Sequence, residues 1–239
     1  MRILLPLPDH DFDVTEVAVP WRLLTDRGHD VVFATEHGGQ PPQADPLLLT
    51  GVLLGQLGAE PEPKRFYEEL TAAPEYRTPI AWSEIEPAAY DGLVLPGGHA
   101  PGMRQYLGSS ALQDKVAEFW SLDRPVGAIC HGVLVPARAG VLTGRRTTCL
   151  PKYMERTAYL ATAWRRGRYY RTYPAYVQDE VIAAGARFER GPFELSRRGT
   201  ATDDTPAFVV RDGNYVSARW PGDAYLFART FADLLEAHP

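Results

Sequence analysis

Gly127-Ala-Ile-Cys-His-Gly132 decides the reading of this chain. Two residues before it, at Pro125, begins a short apolar strand that runs straight into a thiol, and Gly132 lets the backbone turn tightly into a helix expected to start near Val133. That arrangement is a nucleophile elbow in outline. It places Cys130 at the carboxyl edge of a sheet, where open α/β folds bind ligands, and at a helix N-terminus whose dipole favours thiolate over thiol. The competing reading is a buried structural cysteine in a strand-to-helix turn.

Working outward, Leu95-Pro-Gly-Gly-His99 closes another apolar strand, Gly92 to Pro96, and its glycines free backbone N–H groups to hold an oxyanion. Alone, a double glycine after a strand is common turn chemistry. Arg2 to Leu7 is a third apolar run, ending in the polar stretch Pro8 to Asp13, read as a loop. Thr15 is expected to cap the helix that follows, Pro20 to kink it or delay its start, and Gly28 to stop it. Glu16 falls in its first turn, a place where glutamate commonly serves only the helix dipole. Asp30 to Thr35 completes a βαβ unit, and Leu112 to Leu122 reads as a helix between the last two strands. Asp212-Gly213-Asn214 joins Ala207–Val210 to Tyr215–Ala218 as a hairpin, and Asp223 to Glu236 closes the chain as an amphipathic helix. The fold class expected is α/β: a doubly wound, flavodoxin-like, mostly parallel sheet with helices on both faces and a C-terminal hairpin. One domain over residues 1–239 is expected, with a helical cap inserted at about 45–85 and a second insertion at 152–191.

Composition narrows the function. The 239 residues carry 25 Lys plus Arg against 30 Asp plus Glu, with no basic excess to attract nucleic acid. No apolar run reaches the roughly 20 residues of a membrane span, and Asp9, Asp11 and Asp13 follow the first strand where a signal peptide would be cleaved, so a cytoplasmic location is expected. Two cysteines, Cys130 and Cys149, make no disulfide framework, and Cys149 is expected to pack in or beside a strand. His10, Asp9 and Asp11 could combine with His37 or His99 on a metal, but no pair has a metal-site spacing, so no metal and no cofactor are expected. Trp164 to Tyr173 mixes arginine with aromatics as a nucleic-acid surface would. A solvated insertion with snorkelling arginines, some lining the pocket, is the preferred account.

Ala-Ile-Cys-His-Gly after an apolar strand, Leu-Pro-Gly-Gly-His before it and an acid after the first strand together resemble the PfpI/parkinsonism-associated deglycase superfamily, with its class I glutamine amidotransferase-like fold. The likeness covers nearly the whole chain. It is nearest to the heat-shock chaperone and glyoxalase III branch, although Gly213 to Gly222 departs from the usual Thr-Gly-x-x-Pro. The resemblance implies Cys130 as nucleophile, His131 as acid/base, Glu16 as the carboxyl beside the sulfur, and the N–H groups of Gly98 and His131 as an oxyanion hole. Gly97 and His99 would line the substrate site. The acid that orients His131 should lie beyond the strand-like Thr147-Thr-Cys-Leu, which points to Glu155, with Asp179 and Glu180 in reserve. A homodimer acting on a small electrophilic carbonyl, an α-oxoaldehyde first, is implied, with a related amidase, peptidase or isocyanide hydratase equally open to the same nucleophile and oxyanion hole. The alternative is a stress chaperone or redox sensor built on an oxidisable cysteine.

Overall fold

The computed structural model describes residues 1–238. In chain order, β1 (Arg2–Pro6) and β2 (His10–Phe12) precede α1 (Val14–Asp26), β3 (Asp30–Thr35) and β4 (Gln43–Ala44). Next come α2 (Pro46–Thr50), α3 (Pro61–Ala72), α4 (Pro74–Arg77), β5 (Ile80–Ala81), β6 (Gly92–Leu95), α5 (Met103–Gly108) and α6 (Ser110–Ser121). After β7 (Val126–Ile129) follow α7 (Leu134–Arg138), β8 (Arg146–Thr147), α8 (Lys152–Arg166), α9 (Val177–Ala183) and β9 (Arg187–Phe188). The chain closes with β10 (Val209–Asp212), β11 (Tyr215–Ala218) and α10 (Ala224–Glu236).

Seven strands form one sheet in the order β10-β11-β7-β6-β1-β3-β5, parallel throughout except for the β10–β11 hairpin at one edge. This is the doubly wound α/β class that the alternation of apolar runs and helices predicts. Both faces are covered, so the strands are buried on alternate residues alike. Ile3 lies where α10 packs, near Phe231 and Leu235, while its neighbour Leu4 faces Leu112, Val116 and Phe119 of α6. Gly127 lets α10 come close, because a Cβ there would stand 2.8 Å from the Phe227 ring. Winding reverses between β1 and β6: β3 and β5 lie to one side, β7 and β11 to the other. Such a reversal opens a crevice at the carboxyl ends of the central strands.

Three local readings need correction. The N-cap of α1 is Asp13, whose Oδ1 accepts from the Thr15 and Glu16 N–H groups at 2.8 and 3.1 Å; Thr15 does not cap. Pro20 does not delay the helix, because α1 runs from Val14 through Pro20 to Asp26. Pro8 to Asp13 is not all loop, since β2 pairs in parallel with β4. The 45–85 stretch divides in two. Leu48, Gly58 and Ala59 border a cavity near the site, whereas α3 packs on α1 and β5 extends the sheet beside β3.

Candidate active site

Three strand ends meet at the crevice. Cys130 leaves β7 with φ 58°, in the left-handed region that costs a non-glycine residue about 1–3 kcal/mol. A turn of 3-10 helix, Cys130–Val133, leads on into α7. Gly132 makes this possible: a Cβ there would stand 2.1 Å from the Leu95 carbonyl oxygen. Gly97 ties the next loop to α1 in both directions. Its N–H donates to Glu16 Oε2 at 2.8 Å, and its carbonyl accepts from the Asp13 N–H at 2.9 Å. A Cβ on Gly97 would also meet the His131 N at 2.7 Å, so the β6 loop lies against the elbow with nothing between them. The structure thus brings Glu16, Gly97, Cys130 and His131 together.

Burial sets the protonation states. Glu16 is fully buried, and desolvation together with the Asp13 charge holds its carboxyl well above the usual range. Its Oε1 has no hydrogen-bond partner and is the oxygen free to carry the proton. Cys130 is also fully buried, and desolvation followed by the Glu16 and Asp13 charges pushes its thiol up. The lowered thiol pKa expected from the elbow is therefore not found; loss of hydration outweighs the helix terminus and the His131 N–H that favours the anion. With Glu16 held neutral, the resting sulfur is a thiol beside an acid. His131 Nδ1 lies 3.5 Å from Sγ, and burial, then His99 and Arg138, keep the imidazole neutral well below its ordinary value. A neutral imidazole can take the thiol proton. The Gly98 N–H donates to no described residue, which leaves it for a ligand.

His99 sits against this group. Its ring is 5.0 Å from that of His131 and 4.7 Å from that of Tyr170, its Nδ1 has no partner, and burial lowers its pKa to about 4. Tyr173 packs on His131 at 5.5 Å. The expected orienting acids are elsewhere. Glu155 accepts from the Val177 N–H at 3.1 Å and pairs with Arg171 at 3.5 Å, Asp179 holds Lys152 at 2.6 Å, and Glu180 binds Arg138. No carboxylate among the described residues bonds the His131 ring, because α8 and α9 commit their acids to arginine, lysine and backbone. Glu155 instead lines a cavity of about 190 Å³ shared with Asp13, Thr15, His99 and Tyr170.

Asp13 lies in the Asp13 to Glu16 segment expected to converge here, and Tyr169, Tyr170 and Tyr173 belong to the 164–173 stretch of which some groups are expected to line the pocket; no role is read for any of the four individually. The tyrosines carried a signal, their density in the 164–173 stretch: the half from Tyr169 turns inward, while Trp164 is 71% exposed. Two groups of described residues could hold a metal. Donor atoms of His99, Cys130 and His131 lie within 4.8 Å of one another, as do those of Asp9, Glu36 and His37, whose carboxylates already accept from Gln105. The second group contains the Asp9 and His37 named from the sequence and the first contains His99, but neither includes His10 or Asp11. Cys149 is buried just beyond β8.

A parallel sheet with a cysteine elbow at its winding reversal, faced by a buried glutamate, defines a class of cysteine-centred α/β proteins. Residues 7–192 match the family described as ThiJ/PfpI family-like, and the chain belongs to the ThiJ/PfpI family. A deglycase of Pyrococcus abyssi is 30% identical over 99% of this chain and 100% of its own length. The deglycase PfpI of Pyrococcus furiosus is 28% identical over 99% and 100%. The crystal structure of glyoxalase III from Candida albicans superposes with a TM-score of 0.67 at 18% identity, covering 100% of this chain and 98% of that one, which is a likeness of fold. Among the described residues no helix is long and apolar enough to cross a membrane.

Proposed function

We propose that the protein is a cysteine-dependent enzyme that converts an α-oxoaldehyde to the corresponding 2-hydroxy acid without glutathione. The observation that carries this reading is the contact between a buried thiol and a neutral imidazole, 3.5 Å apart, beside a carboxyl with one unpartnered oxygen. The names of the curated relatives, deglycases, and of the glyoxalase III fold neighbour support carbonyl chemistry at such a sulfur.

The chemistry follows from the protonation states. As Cys130 Sγ adds to the aldehyde carbon, His131 takes the thiol proton, and the Gly98 and His131 N–H groups hold the oxyanion. His131 then protonates that oxygen and is neutral again. It removes the proton from the former aldehyde carbon and returns it to the neighbouring carbon, while the hydroxyl proton passes from the first oxygen to the second through the enediol, which turns the thiohemiacetal into a 2-hydroxy thioester. Water releases the hydroxy acid and restores the thiol. Neutral Glu16 gives the sulfur a hydrogen bond whenever charge gathers there.

The test is methylglyoxal turnover with no added thiol, followed as lactate formed. Wild type should produce lactate, and Cys130→Ser should lose at least about 10³-fold in kcat/KM. Wild type inert toward every α-oxoaldehyde, or a serine variant that keeps its rate, would reject the assignment.

A further inference from the structure

A thiol and two imidazoles meet at the elbow. Donor atoms of His99, Cys130 and His131 all lie within 4.8 Å of one another. Zinc bonds a thiolate at about 2.3 Å and an imidazole at about 2.0 Å, so two such donors on one tetrahedral ion stand about 3.5 Å apart. Cys130 Sγ and His131 Nδ1 are 3.5 Å apart and already span one edge of that geometry. The His99 donor needs to move by at most about 1.5 Å to complete a face. Nothing among the described residues competes for the imidazoles, since no carboxylate bonds either ring and His99 Nδ1 has no hydrogen-bond partner at all. Buried polar atoms rarely go unpaired. Burial also keeps both imidazoles neutral, the form that ligates a metal. His99, 9% exposed, is the outermost of the three, so an incoming ion meets it before Cys130.

We propose that His99, Cys130 and His131 together form a binding site for a zinc-class cation, and that the ion, once bound, switches the enzyme off. One thiolate and two imidazoles select Zn²⁺ or Cu⁺ over the oxygen-seeking Mg²⁺ and Ca²⁺. Binding breaks the S–H bond, forms the sulfur–metal bond and passes the proton to water, with no change of oxidation state. The charge of Asp13, which acts on Cys130, helps to balance the cation. The ion then holds both the nucleophile and its base, and neither is free to act on a carbonyl. The switching rests on the function proposed above; the site itself does not.

The experiment uses Co²⁺, which takes the same ligands as zinc and absorbs light. One equivalent should give wild type a thiolate-to-cobalt charge-transfer band with intense tetrahedral d–d bands, and Zn²⁺ should displace them. Cys130→Ser should lose the charge-transfer band. His99→Ala should weaken zinc binding by about tenfold or more in competition with a chromophoric chelator, and His99→Gln replaces it if the alanine variant does not fold. Stoichiometric Zn²⁺ should abolish lactate formation by wild type, and EDTA should restore it. Absence of the charge-transfer band in wild type would overturn the site. A zinc affinity that neither substitution changes would do the same, and would place the ion at Asp9, Glu36 and His37 instead. Binding as expected with turnover undiminished or raised would overturn the switching alone. Should wild type turn over no α-oxoaldehyde, the proposed reaction fails, while the cobalt spectra still uphold or reject the site.

Discussion

Asp13 and Glu16 open the same helix with opposite local duties. Asp13 ties down two N–H groups of the first turn, which favours its anion, yet burial dominates and raises its carboxyl from 3.8 to about 6. Because the folded value exceeds the unfolded one, the stability tied to this proton is present below about pH 4 and lost as the pH rises through about 6. The displacement corresponds to about 3 kcal/mol. Asparagine caps a helix as well as aspartate and cannot ionise. Asp13→Asn should therefore gain stability relative to wild type between pH 4 and 7, by up to about 3 kcal/mol in urea titrations. A constant difference across that range would mean that Arg198, whose charge acts on Asp13, fully offsets the buried carboxylate.

At the scale of elements, the elbow depends on the close passage of β7's exit past β6's. Gly132 rests on the Leu95 and Pro96 carbonyl oxygens, 2.1 and 2.6 Å from where a Cβ would be. Both obstacles are backbone, so Gly132→Ala should cost about 2–4 kcal/mol and abolish turnover even where folded protein is recovered; calorimetric melting and the lactate assay would show it. A variant with wild-type melting would mean that the turn can open freely. This element was legible in the sequence because an apolar strand, a small residue and a glycine at fixed spacing have few other solutions. The strands of the sheet were legible for the same reason: burial on both faces writes continuous apolar runs such as Ile3 to Leu5 and Leu93 to Leu95. The surroundings of His131 were not. Whether Glu155 meets His131 or Arg171 depends on how α8 docks against the 169–171 turn, and no local pattern records that. The cap of α1 was misread because Asp13 and Thr15 are both good capping residues. Only the hydrogen bond from Gly97 fixes Glu16 at the sulfur's side.

Across the whole molecule, the closing hairpin and the last helix are joined to a distant loop by one fully buried cation. Arg219 meets Asp223 through Nε and Nη2, each at 2.8 Å, and also donates to the carbonyls of Pro192 and Pro206. Both side chains are wholly enclosed, so removing the arginine strands a carboxylate and two carbonyls. Arg219→Met should destabilise the protein by about 3–5 kcal/mol and expose residues 192–206 to proteolysis before the sheet. Cleavage spread evenly along the chain would show that the loop is held by other means. The turn at Cys130 affects the whole protein differently. Its backbone angle suits a residue with no side chain, yet a sulfur stands there. Selection for heat resistance alone would drift this codon toward glycine and leave a hardy, inert protein, while selection for catalysis would hold it at cysteine. The two pressures part company at a single amino acid.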